Sequence, residues 1–270
     1  MPTAETAYVK INLALHVRRR RDDGYHELET LFAFVDVGDR LTAHPAQHDE
    51  VRTTGEFSSQ LSDPFANIVT KALAILPRPT GLAITLEKNL PVAAGLGGGS
   101  ADAGALFRLV REAYGLPDDW RERAARLGAD VHACVESVAC IGRGTGAELH
   151  PVENDLAGAW VLLVNPREPL PTGPVFAGWD GVDRGPLPAG PASRIAAEGR
   201  NDLESPALSL CPVIAEVLAA LGDSEADLVR MSGSGATCFG LYPDIKSVTQ
   251  AYEKIRKSNP DWWMMKGRLR

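Results

Sequence analysis

From Pro91 to Asp102 the chain reads Pro-Val-Ala-Ala-Gly-Leu-Gly-Gly-Gly-Ser-Ala-Asp, with glycine at 95, 97, 98 and 99. Ahead of it Leu82, Ile84 and Leu86 alternate with Ala83, Thr85 and Glu87, the period of a strand, and Lys88 follows. Behind it Leu106, Leu109, Val110 and Ala113 recur at the spacing of an amphipathic helix, closed by Gly115 and Pro117. Strand, glycine loop and helix therefore follow one another. Glycines remove side chains where backbone N–H groups converge, and a helix N-terminus adds the positive end of its dipole. Such a nest suits an anion, and a phosphate chain is the natural ligand. Ser100 adds a hydroxyl able to meet a phosphate oxygen or Mg²⁺. A run of glycines also suits a mobile surface turn, but the flanking strand and helix favour phosphate.

Two common phosphate motifs do not account for the loop. A Walker A loop requires Gly-Lys-Ser/Thr, and no lysine is present here. Gly95, Gly97 and Gly98 fit G-x-G-x-x-G badly, and the loop comes late for a first βαβ unit.

The rest of the chain limits the class of function. With 270 residues the expectation is one large or two modest domains. A formal charge of −7 gives no overall attraction to nucleic acid or anionic lipid, so phosphate chemistry must be local. No partner of either kind is expected. The N-terminal residues lack the apolar run of a signal peptide, and the most apolar stretch, 157–164, is too short to cross a bilayer. Cysteines at 134, 140, 211 and 238 form no CxxC pair, which argues for reduced thiols in a cytoplasmic protein.

Local patterns place further elements. Val9, Ile11, Leu13, Leu15 and Val17 alternate with Lys10, Asn12 and His16, reading as a half-buried strand with Lys10 and Asn12 together on its polar face. Arg18 to Asp23 reads as a charged turn ending at Gly24; these arginines suit a solvated surface better than a device for steering anions. Residues 28–37 read as a buried strand, Gly38-Asp39 as a break, and 40–43 as a returning strand. Helices are expected over 68–76, 118–127 and 213–221, with a last one over 245–256. Asp130 stands where a helix N-cap would, ahead of 131–135. Strands are expected over 138–141, 160–164, 227–231 and 237–242. Asn201-Asp202-Leu203-Glu204 reads as a capping box. Segments 151–158 and 166–192 are rich in Pro, Gly and Asp, and on composition the domain boundary falls near residue 155, dividing 1–155 from 156–270.

Three ordered segments resemble the motifs of the GHMP-type small-molecule kinases: Lys10-Ile11-Asn12-Leu13, the Pro91–Asp102 loop, and Met231-Ser232-Gly233-Ser234-Gly235-Ala236. Asp23-Gly24-Tyr25-His26-Glu27-Leu28 and Leu127-Gly128-Ala129-Asp130-Val131 are similar to one branch, which acts on a cytidine-diphosphate-bearing polyol in non-mevalonate isoprenoid precursor synthesis. The matches run from about residue 7 to 240. The chain departs from the family at His132-Ala133-Cys134, in the longer loop 143–148, and at Gly104, where alanine is usual.

The resemblance implies an α+β, two-lobed GHMP kinase fold, with a ribosomal-protein-S5-like N-terminal lobe that binds ATP and a ferredoxin-like C-terminal lobe that binds substrate. It implies Asp130 as catalytic base for the attacking hydroxyl, with Lys10 as its partner. ATP would lie on Pro91, Val92, Ala93, Ala94, Gly95, Leu96, Gly97, Gly98, Gly99, Ser100 and Ala101, approached by Lys88 and Asn67. Asn12, Tyr25, His26, Thr172, Phe176, Gly233, Ser234 and Gly235 would hold the substrate, with the cytosine between Tyr25 and Phe176. Mg²⁺ is expected on the phosphates, with Ser100 as a candidate ligand, and the enzyme is expected to be a monomer or homodimer. Two alternatives stay open: a related kinase acting on a mevalonate- or homoserine-like substrate, and a nucleotide-binding regulator without turnover.

Overall fold

The computed structural model describes residues 3–61, 63 and 67–270. It is α+β. The chain divides into two compact units, one formed by Met1–Lys10, Val37–Val92 and Gly97–Val138, the other by Ile11–Asp36, Ala93–Leu96 and Ala139–Arg270. Two long strands, β1 (Thr3–Arg20) and β2 (His26–Ala46), contribute to both.

In the first unit β3 (Glu50–Thr54) pairs in parallel with β4 (Gly81–Glu87), and β4 pairs antiparallel with Arg40–Ala46 of β2. The helices are α1 (Ile68–Ile75), α2 (Gly98–Tyr114), α3 (Trp120–Leu127) and α4 (Val131–Glu136). The α2 helix packs on α1 and α4. An atom at the Cβ position of Gly104 would lie 2.5 Å from the Cys134 carbonyl oxygen and 2.9 Å from the Cys134 Cβ. Gly104 thus gives up about 1 kcal/mol of helix propensity to bring α2 and α4 into backbone contact. Arg108, one turn on, donates to the Cys134 carbonyl at 2.6 Å and to Ser137 Oγ at 2.9 Å, which anchors the C-terminal end of α4.

In the second unit residues 28–32 of β2 pair antiparallel with β5 (Cys140–Gly144), and β5 with β6 (Glu148–Pro151). A separate antiparallel sheet has the order β10 (Trp263–Arg268), β7 (Trp160–Asn165), β9 (Cys238–Tyr242), β8 (Leu228–Met231). Two helices, α8 (Val213–Gly222) and α9 (Ile245–Ser258), cover it and enclose a core of Leu162, Val164, Ile214, Val217, Val248 and Ile255. The remaining helices are α5 (Thr172–Ala177), α6 (Ala192–Glu198) and α7 (Glu204–Leu210).

Several sequence expectations are corrected. The first strand is not half-buried, for Lys10, Asn12 and His16 are each under 5 % exposed, because each polar group has found a partner. Gly38-Asp39 does not break β2. Gly38 lets β1 approach, since a Cβ there would overlap the Ala7 carbonyl, and Asp39 is a fully buried partner of Lys88. The strand expected at 138–141 begins at Cys140, leaving Val138 exposed. Asn201-Asp202-Leu203-Glu204 does not form a capping box on α7, whose N-cap is Leu203; Asn201 Oδ1 accepts the Leu203 N–H at 3.0 Å, while its Nδ2 and the Asp202 carboxylate also make contacts distant in sequence. Strands β3 and β10 and helices α5 and α6 had no clear periodic signal. The four cysteines are free, as expected, and all are buried.

Candidate active site

The first unit carries the glycine nest and the ion pair. Gly97 is the N-cap of α2 at φ +60°, a conformation costly for any residue with a side chain. A Cβ there would lie 2.8 Å from Lys10 Cε, so the lysine stem fills the space that the missing side chain leaves. Lys10 Nζ stands 3.0 Å from Asp130 Oδ2. Asp130 does occupy the N-cap position of α4, but its side chain makes no cap hydrogen bond. Its carboxylate is turned to Lys10 instead, and the Asp130 side chain stays 31 % exposed while that of Lys10 is 5 % exposed. A partly open carboxylate oriented by a buried ammonium can accept a proton from an approaching hydroxyl. Ser100 Oγ lies beside Gly128, 3.9 Å from where a Cβ would stand, so the α2 N-terminus and the loop leading to Asp130 adjoin.

His132, on the first turn after Asp130, packs edge-on against Trp120 at 5.2 Å between ring centres, and Trp120 in turn packs on Phe107. Burial, with Arg121 adding to it, holds its imidazole below the usual range. It is a packing residue that joins α4 to α3.

Asn67 caps α1, its Oδ1 accepting the Val69 N–H at 2.9 Å. With Val51, Thr53, Ser58, Ser59, Leu61 and Thr70 it lines an open cavity of about 280 Å³. Lys88 is 2 % exposed and bonded to Asp39 and Asp102. Burial pushes the Asp102 carboxyl up to about 8, against the pull of Lys88. Burial alone would lower the Lys88 ammonium, but Asp102 and Asp39 outweigh it and hold it above its usual value.

The second unit holds the remaining sequence candidates. His26 is buried, its ring 5.1 Å from Phe176 and 5.9 Å from Trp179, the latter edge-on. Burial, then Arg20, lowers its pKa, which favours the neutral imidazole. Tyr25 beside it is 66 % exposed on the turn closed by Asp23. Arg18 pairs with Glu29 and Asp183, Arg19 with Glu27, and Arg21 with Asp23; Arg18 to Arg20 end β1, so the charged turn expected from Arg18 is confined to the residues after Arg20. Thr172 Oγ1, at the start of α5, meets Ser234 Oγ at 3.0 Å.

The 232–235 loop is held from three sides. Ser232 Oγ donates to the Gly95 carbonyl at 2.8 Å and accepts the Asn12 N–H at 3.2 Å. Asn12 Nδ2 donates to Thr30 Oγ1 at 2.7 Å, while its Oδ1 faces Gly233, 3.1 Å from where a Cβ would stand. Asn12 thus braces the loop. Asn201 Nδ2 donates to the carbonyls of Met231 and Gly233, both at 2.8 Å. Asn201, Trp179, Thr30 and Asp39 escaped the reading of the sequence. Asp39 left a signal, an acid inside an otherwise strand-like run; Asn201 was masked by its resemblance to a cap.

Asn201→Ala leaves two buried carbonyls without their donor. The expected cost is about 1–3 kcal/mol, read as a lower urea midpoint with unchanged slope.

Comparison with known proteins shows the family. Family models for the GHMP kinases N terminal domain and the GHMP kinases C terminal match residues 67–144 and 189–261. A 4-diphosphocytidyl-2-C-methyl-D-erythritol kinase from Novosphingobium aromaticivorans is 65% identical, covering 100% of this chain and 94% of its own. The chain belongs to the 4-diphosphocytidyl-2-C-methyl-D-erythritol kinase family. A second member, from Erythrobacter litoralis, is 60% identical over 98% of each chain. The crystal structure of a 4-(cytidine 5'-diphospho)-2C-methyl-D-erythritol kinase superposes with a TM-score of 0.82 at 31% identity, over 100% of this chain and 99% of that one. As a GHMP kinase of this family the chain uses ATP as its co-substrate and has the expected two-lobed α+β fold.

Proposed function

We propose that this chain transfers the γ-phosphoryl group of ATP to the 2-hydroxyl of 4-diphosphocytidyl-2-C-methyl-D-erythritol, giving ADP and the 2-phosphate in non-mevalonate isoprenoid synthesis. The Lys10–Asp130 pair beside the Gly97–Ala101 helix start carries the reading, together with identity to kinases of that name. The hydroxyl oxygen attacks the γ-phosphorus, the bond to the β–γ bridging oxygen breaks, and the hydroxyl proton passes to Asp130. Lys10 orients that carboxylate and offsets charge on the attacking oxygen.

The Pro91–Ala101 segment holds the phosphates on its N–H groups. The 280 Å³ cavity beside Asn67 is large enough for a purine ring. His26, neutral and backed by Phe176 and Trp179, reads the edge of the cytosine, while exposed Tyr25 is placed to stack on its face. Thr172, Ser234, Gly233 and Gly235 line the diphosphate end, on a loop that Asn12 holds.

Among the described residues no cluster of three or more His, Cys, Asp or Glu forms a metal cage. Mg²⁺ would be carried on the ATP phosphates, with Ser100 Oγ, on the first turn of α2, as a protein ligand. The ion supplies neutralisation of phosphate charge.

The two family matches fall on either side of residue 155, which supports a 1–155 ATP-binding module and a 156–270 substrate module. Among the described residues no helix is long and apolar enough to cross a membrane. Both substrates are water-soluble, and the reading carries a cytoplasmic location and a monomeric or homodimeric enzyme.

The test is ADP release from Mg-ATP with this substrate, and separately with mevalonate and homoserine. Release with the cytidine compound alone is expected. Release with either control would keep the kinase and discard the roles given to Tyr25, His26 and Phe176; no release from folded protein would favour a binding-only regulator.

A further inference from the structure

Lys88 stands three residues before Pro91, where the phosphate-binding segment begins. Its ammonium lies among buried carboxylates, bonded to Asp39 and, at 2.8 Å, to Asp102 Oδ2. Asp39 uses its other oxygen, Oδ1, to accept the backbone N–H groups of Asn89 at 2.5 Å and Leu90 at 2.8 Å. Asp102 sits in the second turn of α2, just past Gly98, Gly99 and Ser100. The side chains of Lys88, Asp39 and Asp102 are each at most 2 % exposed. The same ammonium sits under the nest, 3.2 Å from where a Cβ of Gly98 would be.

We propose that Lys88 is a positioning residue for ATP, tying the start of the phosphate-binding segment to the first turns of α2 through Asp39 and Asp102, without itself touching the nucleotide. The inference rests on reading Gly97–Ala101 as the phosphate site. Its physical content is pre-organisation. A glycine-rich backbone has more conformational freedom to lose than any other. Unless both ends are fixed in advance, ordering it on binding opposes the attraction between N–H groups and phosphate. A buried ammonium held by two carboxylates fixes the ends in a way that exposed ion pairs do not. Asp102 Oδ1 is buried without a hydrogen-bond partner. A carboxylate kept at that disadvantage is consistent with a geometric task beyond packing.

The experiment measures Mg-ATP affinity of the full chain by titration calorimetry, with the thermal midpoint recorded in parallel. Lys88→Met and Asp102→Leu should each weaken binding by roughly tenfold or more. The double variant should be no weaker than the poorer single, because both cut one tether. Asp102→Asn should stay within about threefold of the parent, since the amide oxygen still accepts from Lys88. Should Lys88→Met fail to fold, Lys88→Met/Asp39→Asn/Asp102→Leu carries the test, since it leaves no buried carboxylate without its ammonium while an amide oxygen at position 39 can still accept from Asn89 and Leu90.

Weaker binding in Lys88→Met with Asp102→Leu unchanged would overturn the proposal in favour of direct contact between the ammonium and the nucleotide. A lowered midpoint with unchanged affinity in both would reduce the cluster to a packing device. Parent protein that binds no Mg-ATP would instead overturn the reading of the glycine nest on which the proposal rests.

Discussion

Asp130→Asn lowers kcat by about 10²–10⁴-fold while the protein stays folded. The expectation follows from where the carboxylate points. As an N-cap, Asp130 would lend α4 about 1 kcal/mol, and its loss would show in stability. It makes no cap bond, and its carboxylate lies 3.0 Å from Lys10 Nζ. Asparagine keeps the shape and an oxygen that accepts from Lys10, but it cannot take up the proton of the attacking hydroxyl. The Asp130 side chain is 31 % exposed and the asparagine oxygen still accepts from the buried Lys10 ammonium, so the loss in folding is smaller than the loss in turnover. Turnover measured at saturating ATP and substrate, beside a urea titration, separates the two effects. Unchanged kcat would remove Asp130 from the role of base.

Gly95→Ala is the second large effect. Gly95 has φ +76°, and a Cβ there would lie 2.3 Å from the Ser232 carbonyl oxygen and 2.9 Å from that of Gly235. Both are backbone atoms, so neither can swing away. The same neighbours hold the loop, Gly95 O accepting from Ser232 Oγ and Ala94 O from the Thr237 N–H. An alanine must therefore push the glycine loop and the 232–235 loop apart. A loss of on the order of 2–3 kcal/mol is expected, a fall in melting temperature of about 4–10 °C for a chain of this size. Activity should fall about 10²-fold or more, as misplacement of a binding loop typically produces. Gly115→Ala is the control: φ is +80°, but nothing lies within 4 Å of its Cβ position. There the cost should be that of a backbone region nearly confined to glycine, φ +80° with ψ 170°, about 1–3 kcal/mol, with activity kept. Equal effects at both positions would show that φ, not the close approach, explains Gly95.

Much of the fold was legible because its signals are local. The helix after the glycine loop was expected from Leu106, Leu109, Val110 and Ala113, and α2 runs from Gly98 to Tyr114. Gly128 ends α3 and Gly222 closes α8 as their sequence suggested. Where local signals misled, a distant partner had taken the residue. Gly38-Asp39 has the composition of a turn, yet β2 runs through it because Ala7 requires the missing side chain and Lys88 the carboxylate. Asn201 and Glu204 have the spacing of a capping box, yet Asn201 Oδ1 accepts only the Leu203 N–H ahead of α7, and its Nδ2 goes to Met231 and Gly233.

The candidate site divides along the same line. The sequence by itself determined which chemistry is available: a glycine nest at a helix start, a lysine and an aspartate in matching motifs, and a Tyr-His pair after a tight turn. Backbone conformation and hydrophobic period depend on residues a few positions apart, so they are written in short stretches. Only the tertiary structure decided which of the other polar groups meet. The family resemblance already implied that Lys10 meets Asp130, but nothing in the sequence paired Lys88 with Asp39 and Asp102, or Asn12 with Thr30. Burial demands a partner for each such group, because an unpaired one is costly away from water. That demand is met by any group of suitable charge that the fold brings within about 3 Å, and it leaves no mark in the neighbouring sequence.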